Sequence, residues 1–201
     1  MKINYGKICD ELLSKLKETG ERPKLLLHCC CAPCSSYVLE YLDGYFDITA
    51  FYYNPNISPA CEYEKRAGEL ERLLREKQFK YPVNLIIAEY RGNDYYDAIT
   101  GLENEPEGGS RCAVCFRVRL EKTAKLAKKL GFNYFATTLT VSPHKNEQVL
   151  NAVGLDLSEK YDIEYLPSDF KKHDGYKRSI ELSAQYGLYR QNWCGCEFSK
   201  R

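Results

Sequence analysis

Nowhere in the 201 residues does an apolar run approach the ~18 residues that a membrane-spanning helix requires. The opening segment, MKINYGKICDELLSKLKETGERP, is charged and amphipathic where a secretory signal would be apolar, so a cytoplasmic protein is expected. Internal repeats, low-complexity stretches and linkers are also lacking, which predicts one α/β domain over 1–201 with a cysteine-containing C-terminal tail. With 44% hydrophobic and 28% charged residues, the chain falls outside the disordered and fibrous classes and can bury a real core. A strong overall charge is missing too: the net value is +1.

What the chain has in quantity is cysteine, ten in all. In a reducing compartment, clustered thiols point to metal or redox chemistry before they point to a disulfide framework. The small net charge also conceals an uneven distribution. Residues 111–130 carry +6 and residues 171–201 carry +4, while the remaining 150 sum to −9. Two basic segments on an acidic protein suit the docking of a phosphate backbone, and they equally suit a solvated helix face and a solvated tail.

Short apolar runs rich in β-branched or aromatic residues predict strands at 24–28, 47–53, 83–88, 133–137 and 163–166. Helical periodicity lies between them near 7–18, 35–43, 59–78, 94–102, 112–130 and 145–153, with another stretch near 175–187. This alternation predicts an α/β fold, a mostly parallel sheet of about five strands covered by helices. In such sheets ligands collect at the carboxyl ends of strands. The acidic stretch 89–111 is the one long irregular candidate, and such loops carry function or motion.

The first predicted strand runs directly into His28-Cys29-Cys30-Cys31-Ala32-Pro33-Cys34 and then a helix. Cys31 and Cys34 alone would suit a thioredoxin-type dithiol at a helix amino terminus. The extra adjacent thiols fit iron–sulfur or zinc ligation better, given partners from elsewhere. Cys112 and Cys115, spaced i and i+3 at the start of a basic helix, share a face and supply such partners, with Arg111 and Arg117 nearby to favour thiolates. A structural zinc held by four cysteines is the plainer alternative. Near the end, Cys194-Gly195-Cys196 could close a strained, labile disulfide, lie exposed in the tail, or add two metal ligands. Cys9 reads as a core thiol in an amphipathic helix, and Cys61 as structural.

Taken in order, CCAPCS, YYNPNISP, the C-x-x-C that opens a basic helix, TTLTVSPHKN and DFKKHDGYKRSIELSAQYGLYRQNWCGC make the sequence resemble the QueH-type epoxyqueuosine reductases through nearly its whole length. The resemblance implies an enzyme that removes the epoxide oxygen of epoxyqueuosine at the tRNA wobble position, and a fold related to the PP-loop, adenine nucleotide alpha hydrolase-like group. The Ser-Gly-Gly loop of the ATP-using relatives is missing, with cysteines in its place, so no ATP chemistry is expected. The family's [4Fe-4S] ligands match Cys30, Cys31, Cys112 and Cys115, and its redox-active disulfide matches Cys194 and Cys196. Cys29 leaves the register of the ligand pair open by one residue. Cys29 and Cys34 remain as soft ligands for an additional iron, which the resemblance also raises.

Deoxygenating an epoxide to an alkene takes two electrons and two protons, whereas one [4Fe-4S] cluster passes one electron at a time. A second redox element is therefore expected, either the Cys194/Cys196 dithiol or a second iron, along with an external electron donor. Tyr52, Tyr53, His144 and Asp169 are candidate proton donors near strand ends. The modified base must leave the loop stack, so backbone phosphates should be held by Lys122, Lys125 and Lys129 on one helical stripe and by Lys171, Lys172, Lys177 and Arg178 in a second cluster. Trp193 could stack on a base or pack the tail. Two other functions stay in view. One is a metal-free thiol–disulfide oxidoreductase using Cys31 and Cys34, the other a zinc-stabilised RNA-binding module without catalysis. A sulfur-inserting enzyme of the PP-loop group is disfavoured by the missing Gly-rich phosphate loop.

Overall fold

The structure is a computed structural model that describes residues 2–200. Five strands, β1 (Lys24–His28), β2 (Asp47–Tyr52), β3 (Asn84–Ile87), β4 (Tyr134–Thr137) and β5 (Glu164–Tyr165), form one sheet in the order β3-β2-β1-β4-β5. All four pairings are parallel. The central strand β1 carries three consecutive leucines, Leu25 to Leu27, because it is covered on both sides. Alternation sends Leu25 and Leu27 into one core and Leu26 into the other.

The first core gathers side chains of α1 (Tyr5–Thr19), α2 (Ala32–Leu42), α3 (Ala60–Glu76) and α7 (Gly175–Gln185). Phe116, Leu120, Leu150 and Leu157, from α5 (Ser110–Leu130) and α6 (Glu147–Tyr161), fill the second. Among the described residues no helix is long and apolar enough to cross a membrane.

Two predicted helices differ from those observed. The stretch 94–102 yields only α4 (Gly92–Tyr96), and the chain then turns through an irregular segment to Gly109. In the other direction, the helix expected to stop at 153 runs on to Tyr161. Gly154 does not break it. A Cβ there would lie 2.3 Å from the Tyr165 ring, so the glycine lets β5 pack close against α6.

The sheet order reverses between β1 and β4, since β1 continues towards β2 and β4 towards β5. That is the switch point at which parallel sheets open a crevice. Across it, His28 on β1 pairs in register with Thr137 on β4. The buried imidazole is fixed there, its Nδ1 2.9 Å from Thr137 Oγ1 and its Nε2 3.1 Å from the Tyr53 carbonyl oxygen. The Tyr53 oxygen can only accept, so Nε2 carries the proton and Nδ1 accepts from the threonine hydroxyl.

Candidate metal centre

Strand β1 delivers four cysteines to this crevice and the backbone sorts them. The Cys29 N–H continues the ladder to the Phe51 carbonyl oxygen at 2.8 Å, so Cys29 keeps its strand orientation and its thiol enters the core. Burial pushes that thiol up to about 12. Beyond it the chain leaves the sheet. Cys31, in extended conformation, is the N-cap of α2, with Pro33 in the first helical turn. Cys34 comes one turn later. The sulfurs of Cys30, Cys31 and Cys34 all lie within 4.8 Å of one another, with Cys30 and Cys31 3.7 Å apart.

Three thiols this close cannot titrate independently. Hydrogen bonds from the Cys30 and Cys34 thiols hold Cys31 well below the usual thiol range, against its burial. The Cys30 thiol, which donates to Cys31, is pushed up to about 11. The α2 amino terminus adds its dipole in favour of the Cys31 thiolate. A soft, partly ionised donor set of this kind suits thiophilic iron or zinc.

An open cavity of about 600 Å³ spreads over the three sulfurs. The tail strap 190–194, which carries Trp193 and Cys194, lines the same cavity, and Gln191 in it hydrogen-bonds to Cys31. Tail residues further on bind back to the body. The Gly195 carbonyl oxygen accepts from the Ser58 N–H at 3.0 Å, and Cys196 Sγ lies 2.9 Å from the buried Tyr95 hydroxyl. The Cys196 thiol donates to Cys194 and holds it down to about 4, a shift that burial opposes and the Lys145 ammonium assists. Neither cysteine is in a disulfide.

Cys112 and Cys115 occupy the first turns of α5, as expected from their spacing. The structure does not bring them into the three-sulfur group. Cys112 Sγ accepts from the Gly108 N–H at 3.2 Å and lines a smaller cavity of about 170 Å³, which shares Gly108, His144 and Lys145 with the larger one. Cys115 is buried in a cluster with Tyr95, Ile99 and Cys196.

Neither arginine expected to favour these thiolates serves them. Arg111 donates to the carbonyl oxygens of Leu102, Glu103 and Glu105 and pins the irregular segment, while Arg117 pairs with Asp156 at 2.6 Å. Helix geometry explains the Arg117 placement, since i+2 from Cys115 points to another face. The residue at i+4 is Arg119, whose side chain lines the large cavity. Arg119, Arg66, Tyr95 and Gln191 are site residues that motif reading missed. Only Arg119 carried a signal, as the charge that continues the Cys112–Cys115 stripe of α5.

The remaining candidates are scattered. Of the four proton donors His144 lines the cavity, while Tyr53 bonds to Asp94 at 2.6 Å, Tyr52 to the Tyr63 carbonyl oxygen at 3.1 Å, and Asp169 pairs with Lys171 at 2.7 Å. Lys122, Lys125, Lys129, Lys172 and Lys177 are exposed. Lys171 and Arg178 are engaged with Glu147 and Glu40, respectively. Cys9 is a core thiol as expected, but Cys61, read as structural, is exposed.

A sequence model of the family described as "Epoxyqueuosine reductase QueH" matches residues 25–201. The chain belongs to this family. Relatives named epoxyqueuosine reductase QueH include one from Streptococcus pyogenes serotype M1, 47% identical over all of this chain and 79% of its own length. Another, from Thermotoga maritima, is 36% identical and covers 87% of this chain and 89% of its own. Among solved structures, the U34-tRNA thiolase NcsA from Methanococcus maripaludis, determined with its [4Fe-4S] cluster, superposes with a TM-score of 0.56 over 96% of this chain and 68% of its own. At 15% identity that likeness shows the fold alone, an α/β architecture with a parallel sheet covered by helices, as expected for this QueH family member.

Proposed function

We propose that this QueH family member reduces epoxyqueuosine at the wobble position of a cytoplasmic tRNA to queuosine, releasing the epoxide oxygen as water. The observation that carries this reading is the Cys30, Cys31 and Cys34 sulfur group lining an open cavity that Cys194 also lines. Cys30, Cys31, Cys112 and Cys115 would hold a [4Fe-4S] cluster, with Cys34 left over for an additional iron. Such a cluster supplies single electrons at low potential when bound.

The chain's own residues do the rest. Cys31 enters ligation already ionised, favoured by its neighbours' thiols and by the start of α2. Cys194, held as a thiolate, and Cys196, whose thiol keeps its proton, can close a disulfide that yields two electrons and one proton, and solvent supplies the second proton that the epoxide consumes. An external donor then restores the dithiol, and no ATP is drawn on. A cavity of about 600 Å³ is large enough for a splayed nucleobase, with Trp193 on its wall as a stacking surface. Lys122, Lys125, Lys129, Lys172 and Lys177 are the exposed cations available to tRNA phosphates.

The test is iron and acid-labile sulfide content on protein prepared without oxygen, followed by nucleoside analysis of epoxyqueuosine-containing tRNA after incubation with a chemical reductant. About four irons and four sulfides per chain, with conversion to queuosine, are expected. A colourless protein that holds zinc and binds tRNA without turnover would replace this reading with that of an RNA-binding module.

A further inference from the structure

Arg119 is 4% exposed and charged, and among the described residues it joins no ion pair with a carboxylate. Its guanidinium has one hydrogen bond to a described residue, from Nε to the Cys115 carbonyl oxygen at 3.2 Å, and lies 5.7 Å from the Phe116 ring. The other buried arginines are better provided for, and Arg111 donates to three backbone carbonyl oxygens. Arg66 is equally buried but sits 2.7 Å from Glu62, Arg72 bridges Glu69 and Glu76, and Arg178 meets Glu40.

A guanidinium cannot shed its proton to escape burial, so a buried one needs either a negative partner or, like Arg111, a set of carbonyl oxygens, and Arg119 has only one of these. His28 cannot serve, because a neutral imidazole carries no negative charge. The cavity that Arg119 lines holds one carboxylate, Glu107, which forms no ion pair with it, and four cysteines. Cys115 lies one helical turn before it, and Cys30, Cys31 and Cys34 line the same cavity.

We infer that Arg119 is the counter-charge of the iron–sulfur group proposed above for Cys30, Cys31, Cys112 and Cys115 and raises its reduction potential. The inference rests on the cluster reading above. A four-iron cluster on four thiolates is anionic, and accepting one electron adds one negative charge with no proton transfer. A fixed cation in a low-dielectric wall therefore stabilises the reduced form more than the oxidised one. Arg119 is thus a positioning residue that acts through its field, distinct from the exposed lysines and from the Cys194/Cys196 pair.

The test is a spectroelectrochemical titration of the anaerobically reconstituted wild type, Arg119→Gln and Arg119→Lys. With iron and sulfide content unchanged, Arg119→Gln is expected to lower the reduced-to-oxidised ratio at the wild-type midpoint at least tenfold, about 59 mV for a one-electron couple, and Arg119→Lys to restore most of it. An intact cluster with an unmoved midpoint overturns the inference, and a raised KM for tRNA alongside it would assign the arginine to a substrate phosphate. Should Arg119→Gln fail to hold the cluster, retention in Arg119→Lys with a near-native midpoint supports a need for charge, and loss in both variants overturns it. A wild type that binds no iron and sulfide fails at the earlier step and refutes the cluster reading itself.

Discussion

Thr138 meets Cys30 twice across the crevice. The Cys30 N–H donates to Thr138 Oγ1 at 3.2 Å, and the same oxygen lies 3.5 Å from the Cys30 sulfur. The two residues are 108 positions apart and sit just beyond the ends of adjacent strands. One hydroxyl therefore ties the cysteine loop to the turn after β4, at the point where the sheet order reverses.

Thr138→Val keeps the side-chain shape and removes that tie. The half-buried Cys30 N–H then loses its partner, at a cost of about 1–3 kcal/mol. Urea unfolding of the metal-free protein should show the midpoint falling in Thr138→Val and recovering in Thr138→Ser. An unmoved midpoint would mean that water replaces the hydroxyl.

The α5 cysteines and the tail cysteines should separate by experiment. Cys112→Ala is expected to abolish the visible absorbance of reconstituted protein. A double Cys194→Ser, Cys196→Ser variant should keep the spectrum and lose multiple turnover by about tenfold or more, a barrier change of about 1.4 kcal/mol. Full turnover in the double variant would exclude the tail as an electron relay.

Acid should weaken the contact between the start of α6 and the loop after β5. Burial acts to raise the Glu147 carboxyl, but Lys2 at 2.8 Å and Lys171 at 3.3 Å outweigh it and hold the group down at about 2. A carboxyl depressed in the folded state contributes stability that is whole above its ordinary value of 4.5 and is lost as pH falls from there towards 2. Thermal melts across that window should fall less steeply for Glu147→Gln than for the wild type; parallel slopes would contradict the assignment.

Gly154→Ala tests the packing of α6 on β5. The added methyl would meet the Tyr165 ring at 2.3 Å, closer than any stable contact. Overpacking of this kind costs about 1–3 kcal/mol, so the melting temperature should drop even though alanine is the better helix former. A rise would show that the ring moves aside freely.

The sheet was legible because its strands carry local signals. KLLLH reads as a strand buried on both faces, and the observed β1 has the predicted limits. The full length of α6 was not legible, because the use of Gly154 inside it depends on Tyr165, eleven positions on. At the site, the density of Cys30, Cys31 and Cys34 announced itself, and Cys29 could be set apart only once the ladder bond to Phe51 was known. The contacts of Thr138 with Cys30 and of Tyr95 with Cys196 are set by topology over about a hundred residues, and no local pattern encodes them. Regional charge sums hid more than they revealed. They counted Lys171 and Arg178, both internally paired, with the exposed lysines, and they merged Arg119 with the solvent face of its helix.

The Gly195 backbone sits at φ +102, and a Cβ there would come 2.7 Å from Ile57 Cγ1 and 3.1 Å from the Arg66 guanidinium. Left-handed conformation and lack of room act together at the one residue between two reactive thiols. In evolutionary terms this makes Cys-Gly-Cys a unit that drifts as a whole or not at all. A saturation library should accept many side chains at the exposed Asn192 and almost none at 195, with the losses there appearing first as misplaced thiols and only then as a misfolded chain.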